Sequence, residues 1–189
     1  LHNLQNALAA VAVGLELGVP FNTLAGALAE FHGADRRYQI KGQVAGVTVV
    51  DDYGHHPTEI AAVLRAARAG APRRIIVAFQ PHRYSRTRDL MTEFGRVLAD
   101  ADVTLLADIY PAGETPLPGI TSAAVADAVR LHHRGTVELC ALADMPARVA
   151  AIANDGDLVL TLGAGSIGHT GEAVVNALMT RHARVGAGR

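Results

Sequence analysis

Apolar side chains at Leu4, Leu8, Val11 and Leu15 repeat at helical spacing, and Gly18 and Pro20 close the stripe, which predicts a helix over 3–17. A second helix is predicted over 22–31, with Asn22 as its N-cap and Gly33 just beyond its end. The period then changes. Residues 37–44 and 47–51 read as two short strands joined around Gly42 and Gly46. From there strand and helix alternate, with strands at 47–50, 75–79, 103–107, 137–142 and 158–162 and helices at 58–69, 87–100, 122–133, 145–154 and 171–182. The later strands are unbroken apolar runs, as in strands covered on both faces. The alternation predicts an α/β fold: a Rossmann-like, mostly parallel sheet with flanking helices, preceded by two helices that form a separate unit. Expected boundaries are 1–33 for the leading helices, 34–184 for the α/β domain and 185–189 for a frayed tail.

Composition narrows the function classes. The 189 residues are 50% hydrophobic, 19% charged and 4% aromatic, and 17 Lys+Arg against 18 Asp+Glu leave a charge of -1. No basic field or aromatic surplus points to nucleic acid, and none points to a membrane surface. Charges interrupt every apolar run before membrane-spanning length, no leader pattern is visible, and the expected compartment is the cytoplasm. The single cysteine, Cys140, is expected as a buried thiol. The chain opens at Leu1 inside a helical stripe, which leads to the expectation of a piece of a longer protein.

In an open parallel sheet the ligand crevice lies outside the carboxyl ends of the strands, so the segments that follow strands matter most. Asp51-Asp52-Tyr53-Gly54-His55-His56-Pro57-Thr58 gathers two carboxylates, a phenol and two imidazoles, a costly concentration of polar groups. Thr58 is the expected N-cap of the next helix, with Glu59 near its positive end; capping accounts for Thr58 and Pro57 but not for Asp52, Tyr53 and His55 together. Adjacent His55 and His56 point apart on an extended segment, a poor metal pair. After the next strand, Gln80-Pro81-His82-Arg83-Tyr84-Ser85-Arg86 puts cations at the expected start of a helix, where the dipole disfavours them. An anion held by His82, Arg83 and Arg86 resolves the conflict. The third segment, Gly163-Ala164-Gly165-Ser166-Ile167-Gly168, has dinucleotide-type glycine spacing but follows the last strand, so it reads as a tight turn lining the crevice. Asn3 and Asn6 share a helix face, and of Arg36 and Arg37 one is expected to enter the crevice. His132-His133-Arg134 reads as a helix end.

Taken in order, LHNLQNALAA, FHGADRRYQ, VVDDYGHHPTEI, FQPHRYSRT, ADIYPAGE and GAGSIG resemble the C-terminal part of the Mur ligases of peptidoglycan synthesis, in their L-alanine-adding branch. The resemblance implies an ATP- and Mg²⁺-dependent ligase that activates the carboxylate of UDP-N-acetylmuramate as an acyl phosphate, which L-alanine then attacks. It implies adenine contacts from Asn3 and Asn6 at the end of a central ATP-binding domain, nucleotide contacts from Arg37 and Asp52, and a reacting centre lined by Tyr53 and His55. It gives the L-alanine carboxylate to His82, Arg83 and Arg86. No phosphate-binding G-x-x-x-x-G-K-[ST] loop is present, and Mg²⁺ ligands are expected outside this chain. The chain by itself is therefore expected not to ligate, with a hinge near Gly33–Arg36. The QPHRYSR segment argues against the murein-peptide recycling branch. A small-anion-binding module without turnover is the competing reading, and a nicotinamide-dependent enzyme a remote one.

Overall fold

The computed structural model describes residues 2–31, 33–132 and 135–187, with side chains for 4–31, 33–132 and 135–184. It divides into two compact units, Leu1–Ala34 and Asp35–Arg189.

The first unit holds helices α1 (His2–Glu16) and α2 (Phe21–Ala29). Gly14 permits their close approach, since a Cβ there would lie 2.5 Å from Leu24 Cδ2. The second helix starts behind Pro20, whose carbonyl accepts the N–H groups of Thr23 and Leu24; Asn22 is not its N-cap. Leu4, Leu8 and Leu15 of the predicted stripe remain exposed.

The second unit runs β1 (Gln39–Val44), β2 (Val47–Asp52), α3 (Pro57–Ala69), β3 (Arg74–Phe79), α4 (Tyr84–Asp89), α5 (Met91–Leu98), β4 (Val103–Leu106), α6 (Ser122–Arg130), β5 (Thr136–Leu139), α7 (Met145–Ile152), β6 (Asp157–Leu162), a 3₁₀ turn at Ser166–His169 and α8 (Thr170–Ala187). The strands form one sheet in the order β1-β2-β6-β3-β4-β5, antiparallel at β1–β2 and parallel elsewhere. Alternate side chains of the strands feed two cores. Ile75, Val77 and Phe79 of β3 pack with α3, α5 and α6 on one face, while Ile76 and Ala78 pack with α7 and α8 on the other. No described helix is long and apolar enough to cross a membrane.

Several elements depart from the pattern-based expectations. The helix predicted over 87–100 begins earlier and breaks into α4 and α5 at Leu90, which leaves helical geometry at φ -117° and ψ 20°. Cations at α4 therefore sit on a single six-residue helix, too short for the dipole conflict inferred from sequence. The cap of α3 is His56 rather than Thr58. The His56 Nδ1 accepts the Thr58 N–H at 3.3 Å, and Glu59 reaches back to the His56 N–H at 3.2 Å, closing a capping box. Cys140 is partly exposed just past β5, not buried. The last helix, α8, carries its backbone to Ala187; 188 and 189, like His133 and Arg134, lie outside the described residues.

Register decides what meets at the sheet's upper rim. Asp52, Leu162, Phe79 and Leu106 are in line across β2, β6, β3 and β4. The residues that follow each of them therefore emerge side by side.

Candidate functional site

The loop after β2 is built around its two carboxylates. Asp51 is fully buried: its Oδ2 accepts Arg36 Nε at 2.8 Å and its Oδ1 accepts the Thr161 hydroxyl at 2.6 Å. Asp52 is buried as well, and its oxygens accept the backbone N–H groups of Tyr38 and Gly54, both at 2.7 Å. Neither carboxylate is exposed, despite alternation along the strand, and Asp52 holds the loop that carries Tyr53 and His55. The inward arginine is Arg36. Besides Asp51 it donates to the Gly163 carbonyl at 2.5 Å, and its guanidinium carbon stands 5.1 Å from the Tyr53 ring centre. Arg36 reaches this position through φ 58°, which takes it out of the extended alternation assumed from sequence. Arg37 is exposed beside Glu59, whose charge it influences.

His55 follows Tyr53 in an edge-on contact, 5.3 Å between ring centres. Its Nδ1 lies 3.1 Å from the Tyr53 carbonyl and 3.3 Å from Glu59 Oε2. Neither neighbour can donate once Glu59 is ionised, so Nδ1 carries the proton and Nε2 presents its lone pair in the neutral ring. Burial works against ionising Glu59, but the His55 and His56 backbone N–H groups and the charges of His55 and Arg37 together hold it below the usual carboxylate range.

The loops after β3 and β4 extend the sheet past its last strand residues. His82 and Tyr110 form a parallel bridge, with Arg83 N–H donating to the Tyr110 carbonyl and Tyr110 N–H to the Pro81 carbonyl, both at 2.8 Å. The bridge needs Arg83 at φ 73°, a strained backbone that the buried Thr87 secures by donating hydroxyl and N–H to the Arg83 carbonyl. His82 stacks on Tyr110 with ring centres 5.4 Å apart and planes 20° apart, and meets His55 at 5.7 Å and 64°. Arg86 Nη1 is 3.2 Å from His82 Nδ1. Because a guanidinium only donates, that nitrogen is the acceptor and Nε2 carries the proton. Burial first, then the charges of Arg86, His55 and Arg83, push the His82 pKa down against the opposing pull of Glu114.

Arg83 is half exposed and approaches Glu114 at 4.0 Å. Glu114 in turn accepts the Ser85 hydroxyl at 2.6 Å and the Ser85 N–H at 2.9 Å. These bonds, with the Arg83 charge, keep its carboxyl ionised below the ordinary range.

The glycine-rich turn closes the rim. A Cβ on Gly163 would meet the Gln80 carbonyl at 2.7 Å, one on Gly165 the Tyr110 Cγ at 2.6 Å, and one on Gly168 the Arg36 Cζ at 2.7 Å. Its glycines therefore leave room for the Gln80 backbone and for the side chains of Tyr110 and Arg36. The buried Gln80 ties the turn to β3: its Oε1 accepts the Ile167 N–H at 3.0 Å and its Nε2 donates to Ser166 Oγ at 3.2 Å.

The structure thus brings Tyr53, His55, His82 and Arg86 into one contiguous row, with Asp52 beneath it and Arg83 at its Glu114 end. Asn6 is exposed on α1, in the other unit, and the side chain of Asn3 lies outside the described residues. Among the described residues no three His, Cys, Asp or Glu side chains are grouped to hold a metal ion. Sequence reasoning left open which of Arg36 and Arg37 enters the crevice, and it assigned no role to Gln80, Tyr110 or Glu114. For Gln80, a polar residue ending a fully buried strand was a usable signal; Tyr110 and Glu114 were visible only as parts of the ADIYPAGE string.

Residues 36–165 match the family model described as Mur ligase, glutamate ligase domain. A UDP-N-acetylmuramate–L-alanine ligase of Geobacter sulfurreducens is 51% identical over 179 residues, 94% of this chain and 39% of that protein. The crystal structure of the UDP-N-acetylmuramate-alanine ligase of Thermotoga maritima superposes with a TM-score of 0.74 at 25% identity, over 95% of this chain and 38% of that one. A murein peptide ligase of Psychrobacter arcticus gives 0.66 at 25% identity, over 94% and 37%. The chain spans about 39% of the length of the curated relatives it matches.

Proposed function

Since the chain belongs to the Mur ligase family, we propose that it supplies the amino-acid side of an ATP-dependent ligase joining L-alanine to UDP-N-acetylmuramate in peptidoglycan synthesis, in the cytoplasm. The observation that carries the reading is the meeting of His55 and His82 with opposite ring polarity. An amino acid arrives as a zwitterion. Its carboxylate needs donors, and His82 Nε2–H, Arg86 and Arg83 offer them; its ammonium needs a proton acceptor, and His55 Nε2 offers a lone pair.

In this reading His82 and Arg86 fix the carboxylate, and Arg83 exchanges its weak contact with Glu114 for the ligand. His55 first takes one ammonium proton, with Glu59 stabilising the imidazolium that results; the freed amine then attacks the activated muramoyl carbonyl, the acyl C–O bond breaks to release phosphate, and the second nitrogen proton leaves with that phosphate. Tyr53 walls the reacting centre, and Asp52 acts by holding the Tyr53–His55 loop. Catalysis is then chiefly positioning and charge stabilisation. ATP supplies the activation of the muramoyl carboxylate. Arg37, exposed and without an ion pair within 4 Å among the described residues, is free to meet its phosphates. Asp52 fits direct nucleotide contact less well, because both its oxygens already accept backbone N–H groups. Adenine contacts from Asn3 and Asn6 stay part of the reading. The described residues hold no group of three or more His, Cys, Asp or Glu side chains for Mg²⁺.

The test is UDP-N-acetylmuramate- and ATP-dependent incorporation of labelled L-alanine, measured for this chain alone and mixed with the phosphate-loop-containing remainder of a relative. The ligase reading expects incorporation only in the mixture. A chain that binds L-alanine yet never restores incorporation is the non-catalytic binding module instead.

A further inference from the structure

Tyr110 has no part in the chemistry above, yet it is packed closely against two of the rim segments. His82 lies parallel to it at 5.4 Å. Gly165 comes so close that a single Cβ would reach 2.6 Å from Tyr110 Cγ and 2.7 Å from Gln80 Oε1. The backbone fixes the relative height of the two rings through the paired bonds Arg83 N–H to Tyr110 carbonyl and Tyr110 N–H to Pro81 carbonyl. A bridge pairs His82 directly with Tyr110, which sets their side chains shoulder to shoulder on one face.

Rotation of the His82 imidazole about its Cβ–Cγ bond would exchange Nδ1 with Cδ2 and turn the Nδ1 acceptor away from Arg86. Stacking on Tyr110 limits that rotation to two flat orientations, and Arg86 selects the one with Nδ1 toward its guanidinium. We infer that Tyr110 is a positioning residue of the amino-acid site, packed against the glycine-rich turn and holding the His82 imidazole beside His55 so that its Nε2–H faces the incoming carboxylate. The inference rests on the proposed role of His82 as carboxylate ligand. It adds a function for the glycine-rich turn: Gly165 leaves the room that Tyr110 occupies.

The test reads the ring and the ligand separately. Imidazole nitrogen spectra of the ¹⁵N-labelled chain report the His82 tautomer, and calorimetry with L-alanine reports affinity. Tyr110→Phe keeps the flat ring and is expected to match the parent in both. Tyr110→Leu fills the volume without a stacking face and is expected to give mixed His82 tautomers and about tenfold weaker L-alanine binding, the scale of a lost aromatic contact. Gly165→Ala, which crowds the ring, is expected to do the same while far-UV dichroism stays that of a folded chain. A Tyr110→Leu variant whose His82 stays in one tautomer overturns the positioning role, whatever its affinity, because Tyr110 would then act on the ligand directly or not at all. If the parent chain takes up no L-alanine, the carboxylate role of His82 fails, and the tautomer spectra still decide whether Tyr110 sets the ring.

Discussion

Arg86 donates to His82 at 3.2 Å through a nitrogen that the ring must leave unprotonated. A proton added to that ring would have to leave one of two cations without its hydrogen bond. The same contact that selects the His82 tautomer therefore opposes its protonation, in step with burial.

Stability should respond to pH through this ring. The folded-state pKa of His82 lies below the ordinary histidine value, so the unfolded chain binds the proton more readily. The contribution is complete above about 6.5 and is lost as pH falls through the lower folded value. Urea midpoints measured across this window should fall with acidification, and His82→Gln should flatten that part of the curve. An unchanged slope in the variant would assign it to other groups.

Arg36 and Asp51 form the most deeply placed ion pair at the rim, with the carboxylate fully buried. Removing only the cation leaves Asp51 with the Thr161 hydroxyl alone. Arg36→Ala should cost about 3 kcal/mol by denaturant titration, and adding Asp51→Asn should recover a large part of it. Additive losses would mean the two side chains do not act as a pair.

Much of this was readable beforehand, and the limits are physical. The polar loops follow apolar strands, and strand ends are where a parallel sheet opens, so Tyr53, His55, His82 and Arg86 could be chosen from composition and position. The partner of Asp51 could not, because Arg36 enters by a positive φ that no alternation rule anticipates. The cap at His56 was missed for a related reason: an imidazole nitrogen serves as acceptor where serine, threonine or aspartate is usual. Tyr110 gained meaning only when a bridge between two loops set it against His82.

Glu59 serves both the capping box and His55, so its variants should separate. Glu59→Ala removes the acceptor of two backbone N–H groups and should destabilise the fold by about 1 kcal/mol. Glu59→Gln keeps an acceptor and should lose less in thermal melting, while slowing ligation in the reconstituted assay. Equal activity of Glu59→Gln and the parent would confine Glu59 to capping.

Away from the rim, Asp157 opens β6 with its side chain buried against Arg73 and Arg74, and the Asn154 N–H also reaches it. Burial works against its charge, but these donors, Arg74 foremost, hold its pKa below the usual range. Its contribution is present above about 4 and lost as pH falls through the folded value. Asp157→Asn should destabilise the chain by about 2 kcal/mol at neutral pH, less than for a wholly buried pair because both guanidinium groups reach water, and should blunt acid unfolding. A melting curve at neutral pH indistinguishable from the parent's would remove Asp157 from the stabilising set.

L-Alanine titrated into the ¹⁵N-labelled chain, read at the His82 imidazole and the Arg86 guanidinium, probes the amino-acid site without requiring turnover. Saturable shifts at both side chains, abolished by Arg86→Met in a chain that stays folded, are the expected result. Saturable binding that leaves His82 and Arg86 unmoved would place the amino acid elsewhere and contradict the reading of the rim.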